Sequence, residues 1–79
     1  MATIITTPNG SGPLLERARA ERGLSLEDVA RALGMAPADV ADLERNGIDG
    51  STGLDEIYTL GVVYGVRPST IAEAAQRPE

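Results

Sequence analysis

The stretch SLEDVARALGMAPADVADLER, from Ser25 to Arg45, has the pattern of two short amphipathic helices joined by a sharp turn. Ser25 is suited to cap the first helix, and Asp28 stands three positions later, where the other half of a capping box belongs. Gly34 suits a turn with positive φ, which glycine adopts without steric cost. Pro37 suits the first position of the next helix. The stretch therefore predicts a helix, a turn and a second helix.

Small and apolar residues in this stretch fall where two crossing helices need them. Ala30 has little side chain, so the second helix can cross close to the first. Val40 and Leu43 fall on the inner face of the second helix. Further framework residues are Arg22-Gly23-Leu24-Ser25, Leu33-Gly34, Leu43-Glu44-Arg45 and Tyr64-Gly65-Val66.

With these spacings, the segment from Leu15 to Ile71 resembles the single-domain helix-turn-helix family of phage Cro proteins, lambda-type repressors and xenobiotic-response-element-like regulators. The resemblance implies an all-α fold, a compact five-helix lambda-repressor-like helix-turn-helix domain. It also implies a transcriptional regulator of phage or prophage type that binds duplex DNA. Such a regulator docks as a dimer, with two recognition helices in successive major grooves about 34 Å apart.

The composition limits the other functions open to the chain. Seventy-nine residues make one small domain, and its only aromatic residues are two tyrosines. A small aliphatic core of this kind favours a homodimer or another partner. Because the chain has no cysteine and no histidine, we expect no enzyme activity, no cofactor and no metal site. No apolar run approaches membrane-spanning length, so we expect a cytoplasmic protein without a membrane partner.

The charge balance supports a second interpretation. The net charge is −5, with twelve acids against seven bases, and all seven bases are arginines. Between Ser25 and Arg45, five acids stand against two arginines, and acids repel the phosphates that attract most DNA-binding proteins. The alternative is a helix-turn-helix-fold module that has lost DNA binding. Its acidic face would engage a repressor, an RNA polymerase subunit or another basic protein.

Proline and glycine divide the chain into a tail and a domain. Residues 1–12 are expected to form a flexible N-terminal tail, and residues 13–77 the helix-turn-helix domain. Two other roles for the tail are a strand that pairs with a second chain and an arm that wraps DNA, the latter weakened by the absence of basic residues. Helices are predicted over 13–22, 26–33, 37–45, 53–64 and 68–76.

The candidate DNA contacts follow from the resemblance, in which the helix over 37–45 is the recognition helix. Alanine can touch a thymine methyl, and aspartate can accept a hydrogen bond from cytosine N4. The arginine and the asparagine at the end of that helix, and the hydroxyl groups at helix starts, are candidates for contact with phosphates. Thr52, with Asp55 three residues later, also predicts a helix cap, and Ser51 is the alternative cap. The candidates are Ser25, Ala36, Pro37, Ala38, Ala41, Asp42, Arg45, Asn46, Ser51 and Thr52.

Other residues are candidates for contact with a protein partner or a second copy. Asp39 and Asp42 lie on the acidic face of the predicted recognition helix. The fourth helix is predicted to bury Leu54, Ile57, Leu60 and Tyr64, which leaves Tyr58 and Val62 facing away from the core. These two residues predict a contact patch that extends to Ile71, or else they pack under the tail or the last helix. Arg17, Arg19 and Arg22 predict a solvated face with local ion pairs, or a patch for phosphates or an acidic partner.

Overall fold

The computed structural model describes residues 10–48 and 52–77, and five helices lie in these two ranges. They are α1 (Ser11–Glu21), α2 (Leu26–Leu33), α3 (Pro37–Asn46), α4 (Leu54–Tyr64) and α5 (Pro68–Ala75). The described ranges contain no strand. The predicted all-α fold of five helices is therefore confirmed, with α2 and α3 as the helix-turn-helix. The predictions for residues 1–9 and for Ser51 lie outside the described residues.

The helices pack around one aliphatic core. α1 packs against α3 and α5, α2 packs against α3 and α4, and α4 packs against α5. α2 and α4 each contribute more than one side chain to the buried apolar set, the other three helices contribute one each, and one further residue follows α3. The buried apolar residues are Leu15, Val29, Ala30, Val40, Ile48, Ile57, Leu60, Tyr64 and Ile71.

The first helix begins two residues earlier than the sequence predicts. Its N-terminal cap is Gly10, and Ser11 and Gly12 form the start of α1 rather than the end of a tail. Pro13 is tolerated in the first turn because the amide hydrogens there have no acceptor within the helix. The Gly10 N–H donates to the carbonyl of Arg77 at 2.9 Å, so the start of α1 is joined to the chain that leaves α5.

The start of α4 also differs from the prediction. Its N-terminal cap is Gly53 rather than Thr52, and the carboxylate of Glu56 accepts a hydrogen bond from the Gly53 N–H at 3.3 Å. Leu54, expected in the core, is 80% exposed. Leu54 lies four residues before Tyr58 and eight before Val62, so it is on the same outward-facing side of the helix. The first buried residue of α4 is Ile57.

The prediction that Ile71 extends an exposed contact patch is wrong. Ile71 is fully buried, because it lies on the face of α5 that packs against α1 and α4. Tyr58 and Val62 are exposed, as the sequence predicts. The surface of α4 that lacks a packing neighbour therefore extends toward Leu54 and not toward α5.

Candidate nucleic-acid interface

The turn between α2 and α3 is built as the sequence predicts. The Ser25 side chain accepts a hydrogen bond from the Asp28 N–H, and the Asp28 carboxylate accepts one from the Ser25 N–H, both at 3.0 Å. Gly34 ends α2 with φ +72°, a backbone conformation that other residues rarely adopt. Ala36 caps α3 and Pro37 occupies its first turn. These local features set the direction in which α3 leaves the turn.

The inner face of α3 is held by a buried polar cluster that the sequence interpretation missed. The single Nε–H of Arg19 is shared by the two carboxylate oxygens of Glu44, at 2.8 and 3.0 Å, and the Tyr64 hydroxyl donates to the same carboxylate at 2.8 Å. Only 5% of the Glu44 side chain and 18% of the Arg19 side chain are exposed. Arg19 also donates to the carbonyl of Leu24 at 3.0 Å. This Arg19–Glu44–Tyr64 cluster joins α3 to both α1 and α4.

The environment of the cluster raises the pKa values of its two donors, Tyr64 and Arg19. Burial, together with the hydrogen bond to Glu44, raises the pKa of the Tyr64 hydroxyl far above its usual value. The hydrogen bond to Glu44 likewise raises the pKa of Arg19. At neutral pH, Tyr64 is therefore a hydrogen-bond donor and Arg19 a cation. Both charges of the Arg19–Glu44 ion pair are compensated inside the fold.

A second set of contacts fastens the C-terminal end of α3 to the start of α1. The Ser11 Oγ accepts a hydrogen bond from the Ile48 N–H at 2.9 Å. Gly12 is buried so close to α3 that a Cβ atom there would lie 2.7 Å from the carbonyl oxygen of Glu44. Only glycine permits this approach of two backbones. Nothing local in the sequence indicated it, because the contact joins residues more than thirty positions apart.

The outer face of α3 carries short side chains followed by charges. Ala38, Asp42 and Arg45 recur at helical spacing and are all exposed, with Ala41 half-buried at the edge of the same face. The Arg45 guanidinium contacts the Asp42 carboxylate at 3.1 Å. Ala36, Pro37 and Asp39 are exposed at the start of the helix. We define Ala38, Ala41, Asp42 and Arg45 as the outer face of α3.

Charges around this face are mostly negative. The helix-turn-helix exposes Glu27, Asp28, Asp39 and Asp42, whereas the fifth acid of the stretch, Glu44, is buried. Both exposed arginines of the stretch contact an acid, Arg31 at 3.8 Å and Arg45 at 3.1 Å. At the start of α4, Asp55 and Glu56 are also exposed. Because Glu44 is buried, the surface is less acidic than the residue count implies, but its net charge is still negative.

The predicted phosphate contacts differ in how available they are. Ser25 is exposed, but its backbone N–H and its hydroxyl serve the capping box, where they lower the pKa of Asp28. Asn46 and Thr52 are half-buried, at the end of α3 and just before α4. The Arg45 side chain is 70% exposed, and Arg45 is the one cation among these predicted phosphate contacts. Hence Arg45 is the principal cation of the candidate interface.

The described residues contain neither a candidate metal site nor a candidate membrane-spanning helix. In the ranges 10–48 and 52–77, no group of three or more histidine, cysteine or carboxylate side chains is placed to hold a metal ion. The helices of these ranges are also too short and too polar to cross a membrane.

Two crossing helices, a tight glycine turn and an anchored second helix with an exposed face define the helix-turn-helix class. As a class, these domains place the second helix in the major groove of DNA and act as regulators rather than enzymes. A family model described as a helix-turn-helix domain matches residues 12–74, which is most of the chain. The protein belongs to this family. No curated protein matches the sequence.

Proposed function

We propose that this protein is a small transcriptional regulator that binds duplex DNA through the outer face of α3. One observation carries the proposal. The inner face of α3 is fixed to the core by the Arg19–Glu44–Tyr64 cluster, while the other side of the helix is exposed at Pro37, Ala38, Asp39, Asp42 and Arg45. A helix that is rigidly held and exposed on one side is what major-groove recognition requires.

The small side chains at the start of α3 allow close approach to the floor of the groove. We assign Ala38 and Ala41 to contact with thymine methyl groups and Asp42 to cytosine N4, the partners that their chemistry permits. Arg45 and Asn46, at the far end of the helix, contact phosphates. Ala36 and Pro37, at the start of the helix, face the sugar-phosphate backbone of the DNA at the edge of the groove.

The flanks of the interface complete this docking model. Ser25 at the start of α2, and Ser51 and Thr52 before α4, are proposed to contact phosphates on either side of the recognition helix. The framework residues support a regulator similar to the Cro and lambda-repressor proteins, of phage or prophage type. Such a regulator acts in the cytoplasm, where the DNA lies.

A titration of random-sequence duplex DNA at about 50 mM salt tests the proposal, because electrostatic binding is strongest there. We expect weak binding that Arg45→Ala reduces for every sequence, with a loss of about one unit from the salt slope. The comparison variant is Arg17→Ala, which removes an exposed arginine from α1 and should have the smaller effect; a loss as large as that of Arg45→Ala would point to the arginines of α1 instead. Equal affinity of wild type and Arg45→Ala would overturn the docking model.

The second candidate function is a protein-binding module, and the exposed acids of α3 favour it. Asp39 and Asp42 stand on a surface with few free cations, so a basic protein surface complements it in charge. The double variant Asp39→Lys, Asp42→Lys separates the two functions. If the double variant binds DNA and wild type does not, the two acids are what prevents DNA binding. In that case a basic protein partner should bind wild type and should not bind the double variant. Helical circular dichroism must stay unchanged for either result to count.

A further inference from the structure

The charges of the domain are divided between two halves. Residues 10–22 and 65–77, which contain α1 and α5, carry five arginines and three acids. The other described residues, 23–48 and 52–64, contain the helix-turn-helix and α4 and carry two arginines and seven acids. The first half is therefore net positive, although the chain as a whole has a charge of −5. A division of this kind directs a charged partner to one side of a protein.

Four arginines of the positive half form no ion pair with any residue in the described ranges. All four are exposed, whereas the fifth, Arg19, is paired with the buried Glu44. Both arginines of the other half contact an acid on their own helix. Among the described residues, unpaired cations are therefore confined to the positive half. They are Arg17, Arg22, Arg67 and Arg77.

α1 and α5 pack side by side and run in opposite directions. The Gly10 N–H donates to the carbonyl of Arg77 at 2.9 Å, so the start of α1 meets the end of α5. At the other end of the pair, the Arg22 guanidinium lies against Gly65, two residues before Arg67. The unpaired arginines are therefore distributed along the helix pair and not gathered at one end.

A cleft with a volume of about 260 Å³ lies between these two helices. Arg17 of α1 and Arg77 beyond α5 both line it, and Thr70 supplies a hydroxyl. One acid, Glu73, also lines it. The other lining residues have no polar side chain, and they are Gly10, Pro13, Leu14 and Ala74. We call this site the α1–α5 cleft.

The size and the chemistry of the α1–α5 cleft indicate what it can accept. Pockets for cofactors and drug-sized ligands have volumes of about 300–1,000 Å³, so this cleft is suited to one or two side chains rather than to a whole cofactor. The guanidinium of arginine binds carboxylates through paired N–H donors. The apolar wall formed by Pro13 and Leu14 suits an aliphatic neighbour of that carboxylate.

We propose that the α1–α5 cleft binds an acidic segment of a partner protein. Arg17 and Arg77 hold an aspartate or glutamate side chain of the segment, and an aliphatic side chain next to it packs against Leu14. Arg22 and Arg67 attract further acids at the other end of the helix pair. The inference does not depend on the proposed DNA binding, because the outer face of α3 belongs to the negative half.

Glu73 favours a polypeptide over a nucleic acid as the ligand. A nucleic-acid backbone carries a negative charge at every phosphate, so it places one against the Glu73 carboxylate as well as against the arginines. A polypeptide can instead place an uncharged or basic residue at that point. The single acid among the cations thus selects a ligand whose charges alternate with neutral groups.

Fluorescence anisotropy of a labelled peptide, added to the full chain at about 50 mM salt, tests the inference. The peptide repeats glutamate, leucine and serine, and its matched control has glutamine in place of glutamate. We expect a Kd on the order of 100 µM for the acidic peptide, weaker binding with added salt, and no binding of the control peptide. The absence of binding at about 1 mM protein, or equal binding of the two peptides, overturns the inference.

Substitutions of the arginines identify the site. Arg17→Gln and Arg77→Gln should each weaken binding of the acidic peptide about threefold, as expected for exposed ion pairs. The control is Arg31→Gln, which changes the net charge equally but lies on α2, in the negative half. Circular dichroism verifies that each variant is folded. An equal loss in Arg31→Gln would show that net charge alone attracts the peptide, and the cleft would have no role.

A change at Glu73 and a competition with DNA distinguish the two classes of ligand. Glu73→Gln should strengthen binding of the acidic peptide by no more than about threefold. Random-sequence duplex DNA should leave the labelled peptide bound. If the DNA displaces the peptide and Arg17→Gln weakens the DNA as much as the peptide, the cleft is a nucleic-acid contact and the inference is wrong.

Discussion

The two faces of α3 differ in almost every physical property. The inner face contains Val40 and Glu44, both buried, and Glu44 joins three helices through Arg19 and Tyr64. The outer face presents alanine and one exposed ion pair, Asp42–Arg45, that touches no other helix. The comparison teaches that the contacts which fix the position of α3 in the helix-turn-helix lie on its inner face, while its outer face has side chains available to a ligand. Family membership therefore follows from the first face, and function must be tested on the second.

The largest expected difference between the two faces concerns stability. Glu44→Ala leaves the partly buried Arg19 and the Tyr64 hydroxyl without their acceptor, so the free energy of unfolding should fall by about 3 kcal/mol. Asp39→Ala removes an exposed acid from the same helix and should cost no more than about 0.5 kcal/mol. Urea denaturation followed by circular dichroism measures both values. Equal losses for the two variants would contradict the distinction between the faces.

The close approach of α1 to α3 gives the next largest effect. Gly12→Ala places a Cβ 2.7 Å from the Glu44 carbonyl oxygen, and both backbones must move to relieve the overlap. We expect a loss of about 2 kcal/mol in the free energy of unfolding. The control is Gly53→Ala, since a Cβ there meets no atom within 4 Å and the change should cost less than about 1 kcal/mol. A Gly12→Ala variant as stable as Gly53→Ala would show that the approach is looser than described.

The buried cluster also predicts how stability depends on pH. The Tyr64 pKa is raised in the folded protein above the value of about 10 expected for an unfolded chain. Its contribution to stability is therefore fully present below about pH 10, and it is lost as the pH rises toward the folded pKa.

Absorbance of the phenolate measures this effect in Tyr58→Phe, where Tyr64 is the only tyrosine left. We expect the phenolate to appear together with the loss of helical circular dichroism, because unfolding exposes the hydroxyl. Ionisation near pH 10 in a chain that keeps its full helical signal would show that Tyr64 is not held by Glu44.

The smallest expected effect concerns the outer face and its charge. Asp42→Asn removes the acid that pairs with Arg45, so the arginine is free to contact phosphate and one repulsive charge is lost. Affinity for duplex DNA at low salt should rise about threefold, in proportion to the small energy of an exposed ion pair. Glu16→Gln makes the same change of charge on the exposed surface of α1 and should have no effect. If both variants gain equally, net charge rather than the outer face controls binding.

Local features of the fold could be predicted from the sequence, because each depends on residues a few positions apart. The Ser25–Asp28 capping box, the Gly34 turn and the Pro37 helix start are of this kind. The Arg19–Glu44–Tyr64 cluster could not be predicted, since its members are 20 and 25 positions apart and appear in the sequence as ordinary charged or apolar residues.

Assignments of the faces of short helices were also unreliable. Leu54 is exposed although the sequence places it in the core, and Ile71 is buried although the sequence places it on a contact patch. With two or three turns in a helix, a single apolar residue fits either face, and only the packing of neighbouring helices decides. The sequence places Ser11 and Gly12 in the tail for a similar reason, because the contacts that hold them are with the end of α3 and with Gly47 and Ile48 beyond it.

Nuclear magnetic resonance of the labelled protein, titrated with a short duplex at low salt, tests the central claim most directly. The claim predicts that amide signals of Ala38, Ala41, Asp42 and Arg45 shift together in proportion to the duplex added. Signals of Tyr58 and Val62, on the exposed side of α4, should stay in place. Shifts confined to α4, or no shifts at the highest duplex concentration, would contradict the claim that the outer face of α3 binds DNA.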